Sequence, residues 1–283
     1  MNQSLTRQFF RFTIPTILSM VAFSLYTLVD GIFVAKGVGE TALAAVNLSS
    51  PYNSVMFAVG LLLAVGMSTT IAIRLGNGKH HEASSLFTRN LIVAVVVSIV
   101  ISVLTLLNLR SVAQFLGAEG DTLGYVMEYV GGVSPFAVFF ICSYNMEILV
   151  KTDGTPLLST IGVSLAGVTN LILDWLFVMI FHWGVRGAAV ATGLAQVVST
   201  VLYLYYFAKR SKQLHFVNVS LKPSEFKIYR RTLPLGVADS ITEMSNGVVL
   251  FAFNQTILRL IGESGVVSYT VIGYVNTLVL MVM

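Results

Sequence analysis

Three side chains able to hold a proton or a hard cation stand inside otherwise apolar stretches of this sequence. They are Asp30, in LYTLVDGIFVAKGVGETALAAVN, and Asn170 with Asp174, in VTNLILDWLF. A lone carboxylate at the centre of a bilayer-spanning helix costs roughly 2.5 to 3.5 kcal/mol on insertion scales, so Asp30 requires both a function and a partner. Asn170 and Asp174 are four apart and share one helical face, setting an amide beside a carboxylate. Thr192, in the small-residue run WGVRGAAVATGLAQ, adds a hydroxyl where helices can approach closely. Together Asp30, Asn170, Asp174 and Thr192 offer oxygen ligands for a monovalent cation, or a proton shared between two carboxylates. The competing reading is that Asn170 and Thr192 only satisfy a hydrogen bond between helices. Two carboxylates in one low-dielectric pocket cannot both stay ionised cheaply, so one is expected to take up a proton in the working range.

A second acidic pair, Asp239 and Glu243 in GVADSITEMSNG, is also four apart. Glu243 lies deeper and is the stronger candidate to meet a cationic substrate or coupling ion, with Asp239 nearer the inner interface. Two further acids in apolar runs are discounted. Glu128 falls near the outer end of a span, and Glu147 precedes Lys151 by four residues, the spacing of an ordinary helical ion pair. Met20, Met56, Met67, Met244 and the many Phe and Tyr could line a permissive apolar pocket, although packing or lipid contact accounts better for any one of them.

The elements that must position these groups are membrane helices. Hydrophobic residues make up 55% of the chain and charged residues 11%, with a mean hydropathy of +0.82, far from the soluble range. An all-α integral membrane protein is expected. The net charge of +4 does not imply a nucleic-acid partner, because the basic residues fall between apolar spans. Cys142 reads as a small packing residue. The histidines His80, His81, His182 and His215 fall in predicted loops without metal-ligand spacing. Neither a nucleophile–base pair nor a metal cluster is legible, so no catalytic residue, metal site or cofactor is expected beyond a coupling Na⁺ or H⁺. The first apolar run is of spanning length and is followed by no clear cleavage site, so it reads as a helix rather than a signal peptide.

Eight charge-poor windows are long enough to span, at about 12–35, 42–73, 90–109, 124–150, 156–181, 185–208, 232–261 and 264–283. Pro15, Pro51 and Pro135 are candidate kinks. Thirteen Lys and Arg residues fall on one side of these spans and four on the other, which places the N-terminus in the cytoplasm of an inner or plasma membrane. The polar interval 209–231 reads as a cytoplasmic linker with a short helix after Pro223. Beyond it the chain echoes its own beginning. RFTIP at Arg11 returns as RRTLP at Arg230, and GETALAAVNLSSPYNS at Gly39 returns as GESGVVSYTVIGYVNT at Gly262, with Asn53 opposite Asn276. Residues 1–208 are thus expected to form a six-helix lobe, and 232–283 the first two helices of a second, pseudo-symmetric lobe whose remainder is missing from this chain. A whole protein of roughly 440 residues and twelve helices would complete the repeat.

The sequence resembles the multidrug and toxic compound extrusion (MATE) family through six ordered motifs. They are VDGIFVAKGVGETALAAV, LGNGKHHEA, KTDGTP at Lys151, NLILDWLF at Asn170, GVRGAAVAT at Gly184 and TLPLGVADSITEMSNG. The resemblance implies an antiporter that exports organic cations or amphipathic drugs by alternating access, driven by Na⁺ or H⁺. It also implies a cation or proton site at Asp30, Asn170 and Asp174, with Thr192 matching the sixth-helix Thr and Glu243 a seventh-helix acid of the other lobe. Expected partners are such small molecules and membrane lipids. The alternatives are a lipid-linked oligosaccharide flippase, which would line its cavity with basic residues, and a truncated lobe that does not transport.

Overall fold

The structure, a computed structural model, describes residues 13–14, 17 and 28–282. Most of the first expected span, with Pro15 and Met20, lies outside the described residues. Helix α1 covers residues 28–37, and α2 (Glu40–Gly76), α3 (His80–Leu107) and the short α4 (Leu109–Phe115) follow. Next come α5 (Gly120–Val133), α6 (Ala137–Thr152), α7 (Pro156–Asp174), α8 (Gly184–Lys209), α9 (Tyr229–Leu260) and α10 (Glu263–Val282). Among the described residues, five helical stretches are long and apolar enough to cross a membrane: Glu40–Gly76, His80–Leu107, Gly120–Thr152, Pro156–Ile180 and Gly184–Lys209. Helices α9 and α10 stand where spans seven and eight are expected but are not among those five.

Helix α2 is the mast of the bundle. Its buried residues, among them Leu48, Met56, Leu63, Met67 and Ile71, are spread around the helix with no polar stripe, the pattern of a helix enclosed on all sides. It packs most extensively on α9 and also on α3, α5, α6 and α10. The contact with α9 is backbone against backbone. A Cβ on Gly66 would collide with the Thr232 carbonyl, and one on Gly236 would fall 2.5 Å from the Leu62 oxygen. Small residues at such crossings let membrane helices gain dispersion contacts. Gly66→Ala is therefore expected to cost about 1–3 kcal/mol by overpacking. Gly76→Ala, in the same helix but with open space around it, should be neutral or stabilising. Thermal unfolding of the two variants in detergent checks the contrast.

The expected break at Pro135 is present as a 3₁₀ turn, Ser134–Phe136, between α5 and α6. Ser134 donates to the Val130 carbonyl at 2.6 Å and accepts from the Tyr52 hydroxyl at 2.9 Å, tying the break to α2. Pro51 lies within α2, which stays helical through it. Two expectations need correction. Helix α3 begins at His80, nearly three turns earlier than the hydropathy window suggests, because Ala83, Ser84, Leu86 and Phe87 already pack inward. His80 and His81 consequently open a helix rather than sit in a loop. Met56 and Met67, each 1% exposed, are core residues and line no pocket described below.

The interval after α8 is docked rather than free. Asp153, fully buried in the KTDGTP turn, gathers it with both oxygens. Oδ2 accepts from the Tyr206 and Ser211 hydroxyls and from Lys212 N, and Oδ1 accepts from Gln213 N and Leu214 N at 3.0 Å each. Farther on, His215 N and Val217 N donate to Ser84 and Thr88 of α3, both at 3.2 Å. A 3₁₀ turn, Pro223–Ile228, stands where the short helix is expected. The two echoed loops share a geometry: Gly39 (φ 129°) and Gly262 (φ 89°) each take a positive φ just before a helix that opens on a glutamate, Glu40 or Glu263.

Candidate functional site

Asp30 lies on α1, and Asp174 is the last residue of α7. Directly after Asp174 the helix widens into a π turn, Trp175–Ile180, an irregularity that recurs at functional positions. Helix α1 packs on that turn at Gly37, where a Cβ would lie 2.6 Å from Val178 Cγ1. This close approach sets the two carboxyl groups face to face. They are almost completely enclosed, Asp30 being 8% and Asp174 0% exposed, and Asn170 beside them is 1% exposed. Although the carboxyl groups interact, neither Asp174 oxygen nor Asp30 Oδ1 makes a hydrogen bond of ordinary geometry among the described residues.

Asn170 Nδ2 donates to Thr192 Oγ1 across α7 and α8 at 3.3 Å, and Thr192 donates in turn to the Ala188 carbonyl at 2.9 Å. The amide is thereby fixed and its Oδ1 is left without a partner among the described residues. Three carboxylate oxygens and one amide oxygen are therefore buried without a partner among the described residues. Leaving ionised groups in that condition is far costlier than pairing them, and a proton or a small monovalent cation is the group that satisfies such a donor set. Thr192 orients Asn170 through its hydroxyl, so Thr192→Val is expected to weaken cation or proton binding about tenfold. Its fold should change by less than about 1 kcal/mol. Fluorescence of Trp175, adjacent to Asp174, provides a titration signal, and Thr192→Ser should restore the wild-type curve.

Asp30 and Thr192 also face a cavity of about 290 Å³, whose walls come from α1, α2, α5, α6, α8 and α9. Glu243 lines the same cavity from α9, facing Ser54 of α2, so it and Asp30 border one space. Asp239 does not join it: one turn earlier on α9, it is exposed. Phe57, Phe140, Tyr129 and Tyr144 form the aromatic part of the wall. Tyr129 faces Asn53, and the hydroxyl of Tyr274 from α10 sits against Gly31, next to Asp30, in space that any side chain at Gly31 would fill. Among the described residues, no Lys or Arg lines this cavity. Glu147 pairs with Lys151 at 2.9 Å and accepts from Ser159 at 3.1 Å, while Glu128 is exposed.

The sequence reading did not single out Tyr129, Tyr144 or Tyr274. Aromatic residues in apolar runs are ordinarily packing residues, and nothing local marks these three. Asn53 did carry a signal, since the internal echo sets it opposite Asn276.

These features define a multi-pass, all-helical membrane protein with a buried acidic site beside an aromatic cavity. A family model described as MatE matches residues 15–176, more than half of the chain, and the chain belongs to this family, whose members are transporters rather than enzymes. Among relatives, the chain is 24% identical over 268 residues to the multidrug export protein MepA of Staphylococcus haemolyticus, covering 95% of the chain and 59% of that protein. It is 24% identical over 210 residues to MepA of Staphylococcus saprophyticus, covering 74% and 47% respectively. The chain thus spans about half the length of the curated relatives it matches. Among solved structures, the MATE multidrug transporter DinF-BH in a ligand complex superposes with a TM-score of 0.88 at 25% identity, over 98% of this chain and 62% of that one. An inward-facing MATE transporter superposes with a TM-score of 0.81 at 27% identity, over 88% and 56%.

Proposed function

We propose that this chain forms the N-terminal lobe and the start of the second lobe of an inner-membrane antiporter. It exports organic cations or amphipathic drugs in exchange for inward movement of Na⁺ or H⁺. The observation that carries the reading is the set of unmatched oxygens on Asp30, Asp174 and Asn170, placed where Asp30 also borders the cavity that Glu243 enters. A single positive charge at the Asp30–Asp174 pair and a cationic compound beside Glu243 then draw on one acidic region. Each must favour a different conformation for exchange to be coupled. Relatives solved in inward-facing and outward-facing conformations match this chain equally well, each with a TM-score of 0.81, which supports alternating access. The aromatic wall suits flat or amphipathic cations, which gain from ring faces as well as from the carboxylates.

In this reading residues 1–208 are the first lobe, 209–231 the cytoplasmic linker and 232–283 the opening of the second lobe, with the N-terminus cytoplasmic. The lipid-linked oligosaccharide flippase is disfavoured by a cavity wall that carries no basic residue among the described residues. The test is efflux of a cationic dye from proteoliposomes carrying the protein expressed from its complete reading frame. Export is expected under an imposed Na⁺ or H⁺ gradient and should stop when an ionophore collapses it. Absence of export under either gradient would overturn the proposal.

A further inference from the structure

A pocket of about 430 Å³ stands apart from the central cavity, where the end of α2, the first turns of α3, the turn Pro223–Ile228 and the start of α9 converge. Its walls carry Arg74, Arg89, Lys227 and Arg231 against two carboxylates, Glu82 and Glu225. Both acids are engaged: Glu82 by Arg74 at 2.9 Å and Lys79 at 3.0 Å, and Glu225 by Arg89 at 2.9 Å. Lys227 and Arg231 have no carboxylate partner among the described residues. The positive-inside count treats Arg89 as a loop cation, yet it is only 5% exposed. Glu225 holds one end of its guanidinium, and its Nε–H has no acceptor among the described residues. A buried guanidinium N–H is costly to leave unpaired, and Nε with a neighbouring Nη is the fork that grips phosphate oxygens.

We infer that this pocket binds a phosphate group, carried either by an anionic lipid headgroup or by a free phosphoryl compound. The Arg89 guanidinium, which lines the pocket, donates to a phosphate oxygen, and Lys227 and Arg231 supply the countercharge. Leu86 and Ile228 give the pocket an apolar side, and the linker beside it exposes Phe216 and Leu221, features that fit the polar boundary of a bilayer. An occupant would join the α2–α3 corner to the segment that leads into α9.

The test titrates the full chain in detergent with dihexanoyl-phosphatidylglycerol, dihexanoyl-phosphatidylcholine or inorganic phosphate, following the unfolding midpoint. Phosphatidylglycerol is expected to raise it saturably and phosphatidylcholine, whose choline opposes the cationic wall, to leave it unchanged. The exposed pair Lys227→Gln and Arg231→Gln should weaken binding about fivefold for each charge removed. Because Arg89→Gln also loses the bond to Glu225, Glu225→Gln is the complementary variant; it frees the guanidinium and should tighten binding. Inorganic phosphate that matches phosphatidylglycerol identifies a free phosphoryl ligand, and much weaker phosphate identifies a lipid. Unchanged affinity in the double variant, equal stabilisation by phosphatidylcholine, or no response to any phosphate-bearing compound would overturn the inference.

Discussion

Asp30→Asn is expected to abolish gradient-driven export, by about 100-fold or more, while the protein stays folded. The argument is one of charge at constant shape. An amide replaces a carboxylate of the same size, so the packing of α1 on the π turn is kept and the electrostatic conflict with Asp174 is relieved. What is lost is half of the negative charge that draws a proton or cation into the pocket. Moving a two-state protein from about 1:99 to 99:1 takes an affinity difference on the order of 10⁴ between the states, and a site with one carboxylate fewer cannot sustain it. Asp174→Asn should behave alike. Asp239→Asn, on the exposed side of α9 and outside the cavity, should stay within about twofold of wild type. Dye efflux from proteoliposomes, with thermal unfolding as the check on folding, measures all three; wild-type export by Asp30→Asn would contradict the assignment.

The second large effect concerns stability. Asp153→Ala is expected to cost about 3–5 kcal/mol, because it removes the common acceptor of two hydroxyls and three backbone N–H groups. Hydrogen bonds to a charged acceptor are the stronger kind, and buried donors that lose one keep the desolvation penalty. Asp153→Asn should recover little, since one oxygen becomes a donor facing other donors. Proteolysis near residues 211–217 and the detergent unfolding midpoint report the loss together, and a change below about 1 kcal/mol would show that the linker is held by other contacts.

How far these features could be read from the chain follows from how far each signal reaches. The acidic site was legible because a carboxylate in an apolar run violates a solvation rule that needs no partner to be noticed, and Asn170 with Asp174 satisfies a local helical spacing. Glu243 was legible for the same reason, but its sharing a cavity with Asp30 is a tertiary fact. The Asp153 clamp joins residues some sixty positions apart, so its turn was visible in the sequence while its role was not. Arg89 was misplaced because a cation at the end of an apolar window is usually solvated, whereas the docked turn Pro223–Ile228 sets Glu225 against it. The tyrosines around Asp30 were hidden by their resemblance to packing residues. Met56 and Met67 fill the core of α2, the packing role that accounts better for any single methionine in an apolar run.

Exchange of one positive charge for another within a single acidic region is the central claim, and cation release on dye binding tests it most directly. Solubilised protein is mixed with a cationic dye in weakly buffered, low-sodium medium while a pH electrode and a sodium electrode record the solution. The account predicts release of H⁺ or Na⁺ in proportion to dye bound by the wild-type protein, and none from Asp30→Asn. Dye binding with no release of either ion, or the same release from Asp30→Asn, would contradict it.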